Sequence, residues 1–174
     1  MAMEKIDVIW DNGEFEKIST SDLEKEYKDY LKKDINIMRK DADIDEAFKN
    51  AYKIVEAQYS FPFLAHAPME PLNCTVHHKG DKAFMSVGSQ MQGLFRDACA
   101  KILGVNPENV EYYTNYLGSS FGRRAPANLD FVIDAAYVAK DEPWAVQTLW
   151  TREDDIKTGN YRPMTVSNAS LSVD

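Results

Sequence analysis

The sequence predicts an α+β fold in which helices pack against a mixed sheet. Helix-like and strand-like stretches alternate without a regular βαβα rhythm, and the chain contains neither a repeat nor a low-complexity tract. Its 174 residues are 44% hydrophobic and 11% aromatic, which is enough to bury a core. We expect an N-terminal strand–helix appendage with its connector over residues 1–40, and a main domain over residues 41–174.

The composition argues against several classes of protein. A formal net charge of −8 and a pI near 4.9 disfavour a nucleic-acid-binding protein, whose surface has to neutralise phosphates. No apolar run approaches the ~20 residues that a membrane-spanning helix needs, and the first residues lack the basic and then apolar profile of a secretory signal. A cytoplasmic and a periplasmic location both stay open.

The two cysteines, Cys74 and Cys99, belong to no C-x-x-C pattern. We therefore expect no zinc or iron–sulfur site made by this chain alone. Two buried free thiols are favoured over a disulfide between them.

The N-terminal part predicts one strand and one helix. "KIDVIWDNG", residues 5–13, has the pattern of a short strand that ends at an Asn-Gly turn. A capping box formed by Ser21 and Glu24 predicts the start of the first helix. The polar connector "KKDINIMRKDAD", residues 32–43, follows it.

A second helix and an extended segment come next. The helix is predicted to begin near Asp43, and its apolar stripe reaches Val55. From Gln58 the pattern becomes that of an extended segment. Pro62 interrupts this segment, because proline cannot occupy the middle of a central strand.

The middle of the chain predicts a hairpin, a helix and a strand. "NCTVHHKGDKAFMSVGS", residues 73–89, has the pattern of a hairpin with its turn at residues 79–81. "QMQGLFRDACAKILG", residues 90–104, predicts the third helix, and Gly104 suits the position just after its end. "PENVEYYTNYL", residues 107–117, predicts a strand.

The last third predicts one helix and two strands. "NLDFVIDAAYVAK", residues 128–140, has the spacing of an amphipathic helix. "WAVQTLWT", residues 144–151, and "TVSNASLSV", residues 165–173, are the predicted strands. The charged stretch "REDDIKTGNYRP", residues 152–163, is predicted to be a connector between them.

The stretch "YLGSSFGRRAP", residues 116–126, lies between a predicted strand and a predicted helix. This layout presents backbone N–H groups to anions, and Arg123 and Arg124 add donors. The stretch matches neither a P-loop nor the dinucleotide-binding fingerprint. It is either an anion-binding turn or a plain tight turn that carries two surface arginines.

Two further segments contain carboxylates that could bind a metal, and both have a structural interpretation instead. His66 and Glu70 are four residues apart, but Pro68 and Pro71 disfavour the helix that would place them on one face. We therefore expect Glu70 to be a buried carboxylate that accepts hydrogen bonds from neighbouring backbone N–H groups. The acidic run at residues 153–155 lacks the spacing of a cation site and predicts a solvated or capping segment.

Four stretches together resemble a known family. They are, in order, "YSFPFLAHAPMEPLNCTV", "VGSQ", "LGSSFGRR" and "WTREDDIKTGNYRP", and they resemble the cofactor-binding subunit of molybdenum hydroxylases, the xanthine dehydrogenase and aldehyde oxidase superfamily. The branch that the chain most resembles is that of the isoquinoline 1-oxidoreductase beta subunit and membrane-bound aldehyde dehydrogenase. The resemblance runs from about residue 6 to the end. It implies that residues 41–174 are the first part of a molybdopterin-binding domain.

The resemblance also implies a chemistry and a set of site residues. Members of the family hydroxylate N-heterocycles or oxidise aldehydes with water as the oxygen source, and electrons leave through iron–sulfur clusters, here expected on a [2Fe-2S] small subunit. Gln90 is similar to the glutamine whose amide hydrogen-bonds an oxygen ligand of molybdenum. Phe121 and Gly122 are similar to the Phe-Gly of the family's glycine-rich loop, and Arg123 either supports that loop or approaches the pterin. The expected cofactor-binding residues are Gln90, Gly118, Ser119, Ser120, Phe121, Gly122 and Arg123.

The chain departs from the family pattern in three ways. A tryptophan-containing sequence that usually precedes the glutamine is replaced by "FMSVGS", residues 84–89. The family loop is typically Gly-Gly-Gly-Phe-Gly, and here Ser119 and Ser120 replace two glycines. The family's catalytic glutamate lies far towards the C-terminus of a much longer subunit, beyond Asp174. We therefore expect no catalytic residue and no protein ligand to the metal in this segment. On its own it is expected to bind no molybdenum cofactor and to be inactive until joined by the remaining part of the molybdopterin-binding subunit.

Two alternatives and one further expectation complete the prediction. The segment could be a degenerate, non-catalytic module that serves assembly or protein interaction. It could also be a stand-alone anion-binding protein that uses Arg123 and Arg124. Edges left exposed by a missing half would favour self-association, with a homodimer as the simplest form.

Overall fold

The computed structural model describes residues 5–33, 36–125 and 129–173. Residues 126–128 lie outside these ranges, and they include the end of the 116–126 loop and the first residue of the predicted fourth helix. Residues 34–35 of the predicted connector and residues 1–4 of the predicted appendage lie outside them as well.

The chain divides into two compact units. One contains the described residues up to Phe63 together with those from Pro163 onward, and the other is Leu64–Arg162. The division that the sequence predicts at residue 40 stays a prediction. In the part of the chain that the structure describes, no helix is both long enough and apolar enough to cross a membrane.

The first unit consists of two helices and a two-stranded antiparallel ribbon. Its elements are α1 (Thr20–Tyr30), α2 (Ile44–Asn50), β1 (Lys53–Phe61) and β8 (Thr165–Val173). β1 and β8 pair along their whole length, from Lys53 opposite Val173 to Phe61 opposite Thr165. Most side chains of this ribbon are exposed.

The strand predicted at residues 5–13 is wrong. Residues 6–12 are irregular, and a short 3₁₀ helix, Gly13–Lys17, follows them. Gly13 has a φ of +60°, so the Asn-Gly pair does turn the chain. The apolar residues Ile9 and Trp10 are exposed, and no strand among the described residues pairs with this segment, so the alternating pattern alone does not make it a strand.

The ends of the first two helices differ from the prediction. The capping box of α1 is formed by Ser19 and Asp22, two residues before the predicted pair. α2 begins after Asp43 as predicted, because the Asp43 carboxylate accepts a hydrogen bond from the Glu46 N–H. It ends at Asn50, because the β-branched residues before Gln58 already belong to β1 and pair with β8.

The second unit is built on a four-stranded mixed sheet. Its strands are β3 (Asn73–Lys79), β4 (Lys82–Val87), β5 (Val110–Thr114) and β6 (Val146–Leu149), in the spatial order β5–β4–β3–β6. β3 pairs antiparallel with β4 and β6, whereas β4 and β5 are parallel. The hairpin predicted at residues 73–89 is therefore confirmed, and so is the α+β fold with a mixed sheet.

Three helices and a small strand pair complete the second unit. The helices are α3 (Gln92–Leu103), α4 (Asp130–Ala139) and α5 (Arg152–Thr158), and the strand pair joins β2 (Leu64–Ala65) to β7 (Tyr161–Arg162). α3 ends where predicted, since Gly104 has a φ of +74°. α5 and β7 lie in the stretch predicted to be an irregular connector, so that prediction is wrong.

The core of the second unit lies between the sheet and helices α3 and α4. The rings of Phe95 and Phe131 pack edge to face, with centroids 5.5 Å apart. Cys74 and Cys99 are fully buried in this core as free thiols, as predicted. Burial raises the pKa of Cys74, and it raises the pKa of Cys99 to about 11, so both thiols stay protonated at neutral pH.

Candidate functional site

Gln90 and the loop after β5 lie in direct contact, thirty residues apart in the sequence. The Ser120 hydroxyl donates to Gln90 Oε1 at 2.5 Å, and the Gln90 N–H donates to the Arg124 carbonyl at 3.1 Å. The sheet explains this contact, because the parallel strands β4 and β5 end at the same edge. The segments that follow them, residues 88–91 and 115–124, therefore leave the sheet side by side.

The first half of the loop faces outward. The Phe121 side chain is 65% exposed, and the Gln90 side chain beside the loop is also exposed. Ser119, Phe121 and Gly122 have φ values of +80°, +54° and +98°. Across the described ranges, the backbone N–H groups of residues 119–122 donate to no protein oxygen. Adjacent amides with alternating left-handed backbone form a concavity that suits an anionic or strongly polar acceptor.

Glu70 fastens the start of the loop. The Gly118 N–H donates to Glu70 Oε2 at 2.7 Å, and the Glu70 N–H donates to the Gly118 carbonyl at 2.9 Å. The Asn73 amide donates to Glu70 Oε1 at 2.8 Å. Burial by itself raises the pKa of Glu70, but the hydrogen bonds from Asn73 and Gly118 and the charge of Arg124 outweigh it and lower the pKa below its ordinary value. Glu70 is partly exposed and not buried as expected, but it does accept a hydrogen bond from a backbone N–H, as predicted.

Gly118 is required by the closeness of this contact. A Cβ atom at position 118 would lie 2.3 Å from the Glu70 Cβ, well inside van der Waals contact. Any other residue here would separate the loop from the 66–70 segment. The glycine therefore serves packing, and the left-handed positions lie further along, at Ser119, Phe121 and Gly122.

Arg124 is completely buried and bonds to both segments that flank the loop. Its guanidinium donates to the Ser119 carbonyl at 3.2 Å, to the Gly88 carbonyl at 3.3 Å and to the Glu70 carbonyl at 3.1 Å. Its Nη2 also lies 2.9 Å from Glu70 Oε2. The interpretation of residues 123–124 as surface arginines is wrong, because the long-range partners of such a side chain cannot be seen in the local sequence.

Arg123 is buried on the other side of the loop and is 2% exposed. It makes a bidentate ion pair with Asp130, with N–O distances of 3.1 and 2.8 Å, and its Nε lies 3.7 Å from Asp155 Oδ1. Its guanidinium also lies 5.4 Å from the Trp150 ring centre, over the ring. This position corresponds to the first of the two expected roles, support of the loop.

The partners of Arg123 on α5 were missed from the sequence. Thr151 and Asp154 form a capping box that begins α5, and this pattern was the available signal. Asp154 thus has the predicted capping role, whereas the adjacent Asp155 is buried. Arg152 pairs with Asp155 at 3.0 Å and donates to the carbonyls of residues 68 and 69, which ties α5 to the segment that contains Glu70.

His66 borders the outward-facing part of the loop. Its Nδ1 lies 3.1 Å from the Asn160 carbonyl oxygen, which can only accept, so Nδ1 carries the proton. A Cβ placed on Gly122 would lie 4.0 Å from His66 Nε2. Residues 66–70 are not helical, so His66 and Glu70 do not form a metal-binding pair of helical spacing.

A family model described as the molybdopterin cofactor-binding domain matches residues 27–174. The chain belongs to this family. The family assigned from the four sequence motifs is therefore confirmed, and the outward-facing loop belongs to a molybdopterin cofactor-binding domain.

Curated relatives agree with this assignment. The chain is 27% identical over 99% of its length to the membrane-bound aldehyde dehydrogenase (pyrroloquinoline-quinone) of Gluconacetobacter polyoxogenes. It is 32% identical over 55% of its length to the isoquinoline 1-oxidoreductase subunit beta of Brevundimonas diminuta, and 29% identical over 76% to the aldehyde oxidoreductase molybdenum-binding subunit PaoC of Escherichia coli K12. It spans only 22%, 12% and 18% of these relatives, respectively.

Solved structures show the same fold. The quinoline 2-oxidoreductase of Pseudomonas putida 86 superposes with a TM-score of 0.60 at 15% identity, over 76% of this chain and 17% of that one. The aldehyde oxidoreductase of Desulfovibrio gigas superposes with a TM-score of 0.57 at 19% identity, over 75% of this chain and 14% of that one. The chain therefore has the fold of one part of much larger proteins.

Proposed function

We propose that this chain is a segment of the molybdopterin-binding subunit of an oxidoreductase that hydroxylates N-heterocycles or oxidises aldehydes with water as the oxygen source. Both substrate classes occur in the names of its relatives, which include an isoquinoline oxidoreductase and two enzymes of aldehydes. The substrate is therefore a small aldehyde or a nitrogen heterocycle.

One contact carries the proposal. The hydrogen bond from Ser120 to Gln90 brings together the two motifs that the family resemblance assigns to the cofactor, and it leaves Phe121 exposed beside them. Had the carboxamide and the loop been on opposite sides of the unit, they could not act on one ligand. Their contact supports a shared site.

The residues present fit the cofactor. Amides 119–122 have no protein acceptor in the described ranges, so they can donate to a polar ligand without breaking an existing bond. The Ser120 hydroxyl is directed to Gln90, and Ser119 keeps the left-handed backbone that glycine favours. The two serines therefore do not occupy the N–H groups of residues 119–122.

The proposed cofactor-binding residues divide into two groups. Gln90, Phe121 and the backbone of residues 118–122 would face the cofactor, which supplies the redox centre for transfer of oxygen from water to the substrate carbon. Arg123 and Glu70 would hold this backbone from behind, because their charged groups are engaged by Asp130 and by Arg124. Preorganised donors of this kind stabilise charge that develops during a reaction.

Further chains complete the proposed enzyme. Two of the relatives are named as subunits, one of them as a molybdenum-binding subunit, so we propose that this segment works with the remaining part of the molybdopterin-binding subunit. A [2Fe-2S] small subunit would accept the electrons. A homodimer of the segment alone, formed through the edges that the missing part would cover, stays a separate prediction.

Molybdenum content tests the proposal directly. The chain is co-expressed with the remaining part of the subunit and the iron–sulfur partner in a host that makes the cofactor, and molybdenum is measured by mass spectrometry of the purified complex. We expect metal in the wild-type complex and its loss in a double variant, Gln90→Ala with Phe121→Ala, because both replacements remove groups that face the ligand.

A matched control separates the site from general damage. Gln58 and Tyr59, an exposed amide and an exposed aromatic residue on β1, are replaced by alanine in a second double variant that should keep its molybdenum. A wild-type complex without metal would favour the non-catalytic module instead. If the complex retains molybdenum after the replacement of Gln90 and Phe121, the assignment of these residues to the site is wrong, while the family assignment is unaffected.

A further inference from the structure

We infer that Ser120 is a positioning residue that sets the orientation of the Gln90 carboxamide and turns its NH₂ group outward, towards the acceptor atoms of a bound ligand. This inference deepens the proposed function and rests on it for the identity of that ligand. Ser120 is one of two positions where the chain departs from the family's glycines. The contact between Ser120 and Gln90 can be tested without the cofactor.

The direction of the hydrogen bonds around Ser120 is fixed by chemistry. The Arg124 backbone N–H donates to Ser120 Oγ at 3.0 Å, and a backbone N–H cannot accept in return. Ser120 is buried, so its hydroxyl proton needs an acceptor, and among the described residues that acceptor is Gln90 Oε1, at 2.5 Å. The series runs from the Arg124 N–H through the Ser120 O–H to the Gln90 carboxamide.

This series of hydrogen bonds determines which end of the Gln90 carboxamide, the oxygen or the nitrogen, points outward. A hydroxyl that donates requires the carboxamide oxygen, so Oε1 must face Ser120 and the NH₂ group must face away from it. In the described part of the chain, Gln90 Nε2 has no acceptor, and the side chain is exposed. The NH₂ group is thus held ready to donate to an oxygen atom of a ligand.

Removal of the hydroxyl would release this constraint. A glutamine amide has oxygen and nitrogen ends of nearly the same size, and only its hydrogen-bond partners distinguish its two orientations. The backbone of Gln90 would stay in place through its bond to the Arg124 carbonyl. The expected effect of Ser120→Ala is therefore local, on the side-chain amide.

Ser119 provides a matched comparison in the next position. Its hydroxyl makes no hydrogen bond within residues 5–33, 36–125 and 129–173, and its backbone carbonyl accepts from the buried Arg124 guanidinium. Ser119→Ala keeps the Cβ and the backbone conformation but removes a hydroxyl of the same kind. A general effect of serine loss in this loop would appear in both variants, whereas the positioning effect would appear only at Ser120.

The experiment measures the Gln90 side chain by NMR in the isotopically labelled 174-residue chain. In the wild type we expect an order parameter of the Nε2 group near the rigid backbone value of ~0.85, and in Ser120→Ala a fall below ~0.6. The Gln90 Cδ resonance should shift upfield in the same variant, because Oε1 loses its donor. Ser120→Thr should restore both signals, since it keeps the hydroxyl, and Ser119→Ala should leave both unchanged.

Each alternative result overturns the inference. A mobile Gln90 amide in the wild type would exclude positioning by Ser120, and so would an amide in Ser120→Ala that keeps its order and its Cδ shift. If Ser120→Ala unfolds and its NMR signals lose their dispersion, the wild type and Ser120→Thr provide the test instead. A disordered Gln90 amide in Ser120→Thr, which keeps the hydroxyl, would also exclude the positioning role. Equal effects of Ser119→Ala and Ser120→Ala would exclude it as well.

A second measurement separates this inference from the proposed function. In the assembled enzyme, Ser120→Ala should lower retained molybdenum roughly two- to tenfold, the effect of one lost hydrogen bond, and Ser120→Thr should restore it. An ordered, Ser120-dependent amide in a complex without molybdenum would overturn the proposed function and support the positioning. A mobile Gln90 amide in a complex that contains molybdenum would support the proposed function and overturn the positioning role of Ser120.

Discussion

The two halves of the loop after β5 have opposite environments. Phe121 and Gly122 are exposed, and the backbone amides of residues 119–122 have no protein acceptor among the described residues, whereas Arg123 and Arg124 are buried and bonded to carboxylates and carbonyls. The outward half has few internal bonds that could hold its shape. The comparison therefore teaches that the conformation presented to a ligand is maintained by the buried half and by the segments that it contacts.

The two arginines divide this task. Arg124 joins the loop to Glu70, which precedes β3, and to Gly88, which follows β4. Arg123 joins the loop to α4 through Asp130 and to α5 through Asp155. A buried guanidinium is costly unless its donors are satisfied, so these partners must be in place when the loop folds. The loop and its surroundings are thus one cooperative unit, which the following substitutions can test.

The largest effect is expected from Arg124→Met. The replacement fills the space, but the carbonyls of residues 88 and 119 lose their donor, and the Glu70 carboxylate loses its charged partner. Loss of one partner of a buried ion pair typically costs about 3–5 kcal/mol, and because the Glu70 side chain is 33% exposed, the free energy of unfolding should fall by the lower end of that range. Urea denaturation followed by circular dichroism measures it.

Arg96→Met is the control for this substitution. Arg96 lies on α3 and pairs with Asp97, but its side chain is 42% exposed. An exposed pair of this kind contributes at most about 1 kcal/mol. Equal losses in the two variants would show that burial of Arg124 does not stabilise the loop.

Gly118→Ala should have the next largest effect. The added methyl group would meet the Glu70 side chain at 2.3 Å, and the paired hydrogen bonds between the two residues would have to lengthen. Overpacking of this kind costs about 1–3 kcal/mol. The measurement is again the free energy of unfolding, with the Gly118 amide resonance as a local reporter.

Gly93→Ala gives the opposite expectation. Gly93 lies in α3, and a Cβ there has nothing within 4 Å, so the substitution should stabilise the chain by about 0.5–1 kcal/mol. If both glycine variants are destabilised alike, the close packing at Gly118 has no special role.

Acid should weaken the contact between Glu70 and the loop. The folded pKa of Glu70 is lowered, against an ordinary value of about 4.3 in the unfolded chain. The folded state therefore binds this proton less readily, so the contribution of Glu70 is complete above about pH 4.3 and is lost as the pH falls through the folded pKa. Glu70→Gln should reduce the acid-dependent part of the loss of stability, measured by denaturation between neutral pH and pH 3.

Glu111→Gln serves as the control for the acid experiment. Glu111 lies on β5, is exposed, and makes no ion pair among the described residues. Its replacement should leave the pH dependence of stability nearly unchanged. A wild-type slope that persists in Glu70→Gln would assign the acid sensitivity to other carboxylates.

Local patterns predicted the parts of the fold that depend on nearby residues. The hairpin around residues 79–81 and the end of α3 at Gly104 follow from turn and cap chemistry within a few positions. The family resemblance assigned Gln90 and the loop to one cofactor, but their direct contact spans thirty residues and no local pattern specifies it. Burial of Arg124 was missed for the same reason.

The error at residues 152–163 has a different cause. The charged composition suggested a solvated connector, yet the capping box at Thr151 starts α5 and Asp155 is buried against Arg123. Composition reports the average environment of a segment, whereas one helix face can be buried while the rest is solvated. The capping pattern was more informative than the charge of the segment.

The smallest effect is expected from Ser119→Gly, which tests whether the outward half of the loop is strained. Ser119 has a φ of +80°, a conformation that destabilises the folded state by about 1 kcal/mol when the residue has a Cβ. Glycine relieves this strain, but its greater backbone freedom stabilises the unfolded chain by a comparable amount. The free energy of unfolding should therefore rise by less than about 1 kcal/mol. Ser120→Gly should instead lower it by about 1–2 kcal/mol, because that residue loses two hydrogen bonds. Changes of opposite sign in the free energy of unfolding would establish that the two serines have different roles, whereas equal changes would mean that they have the same role in the loop.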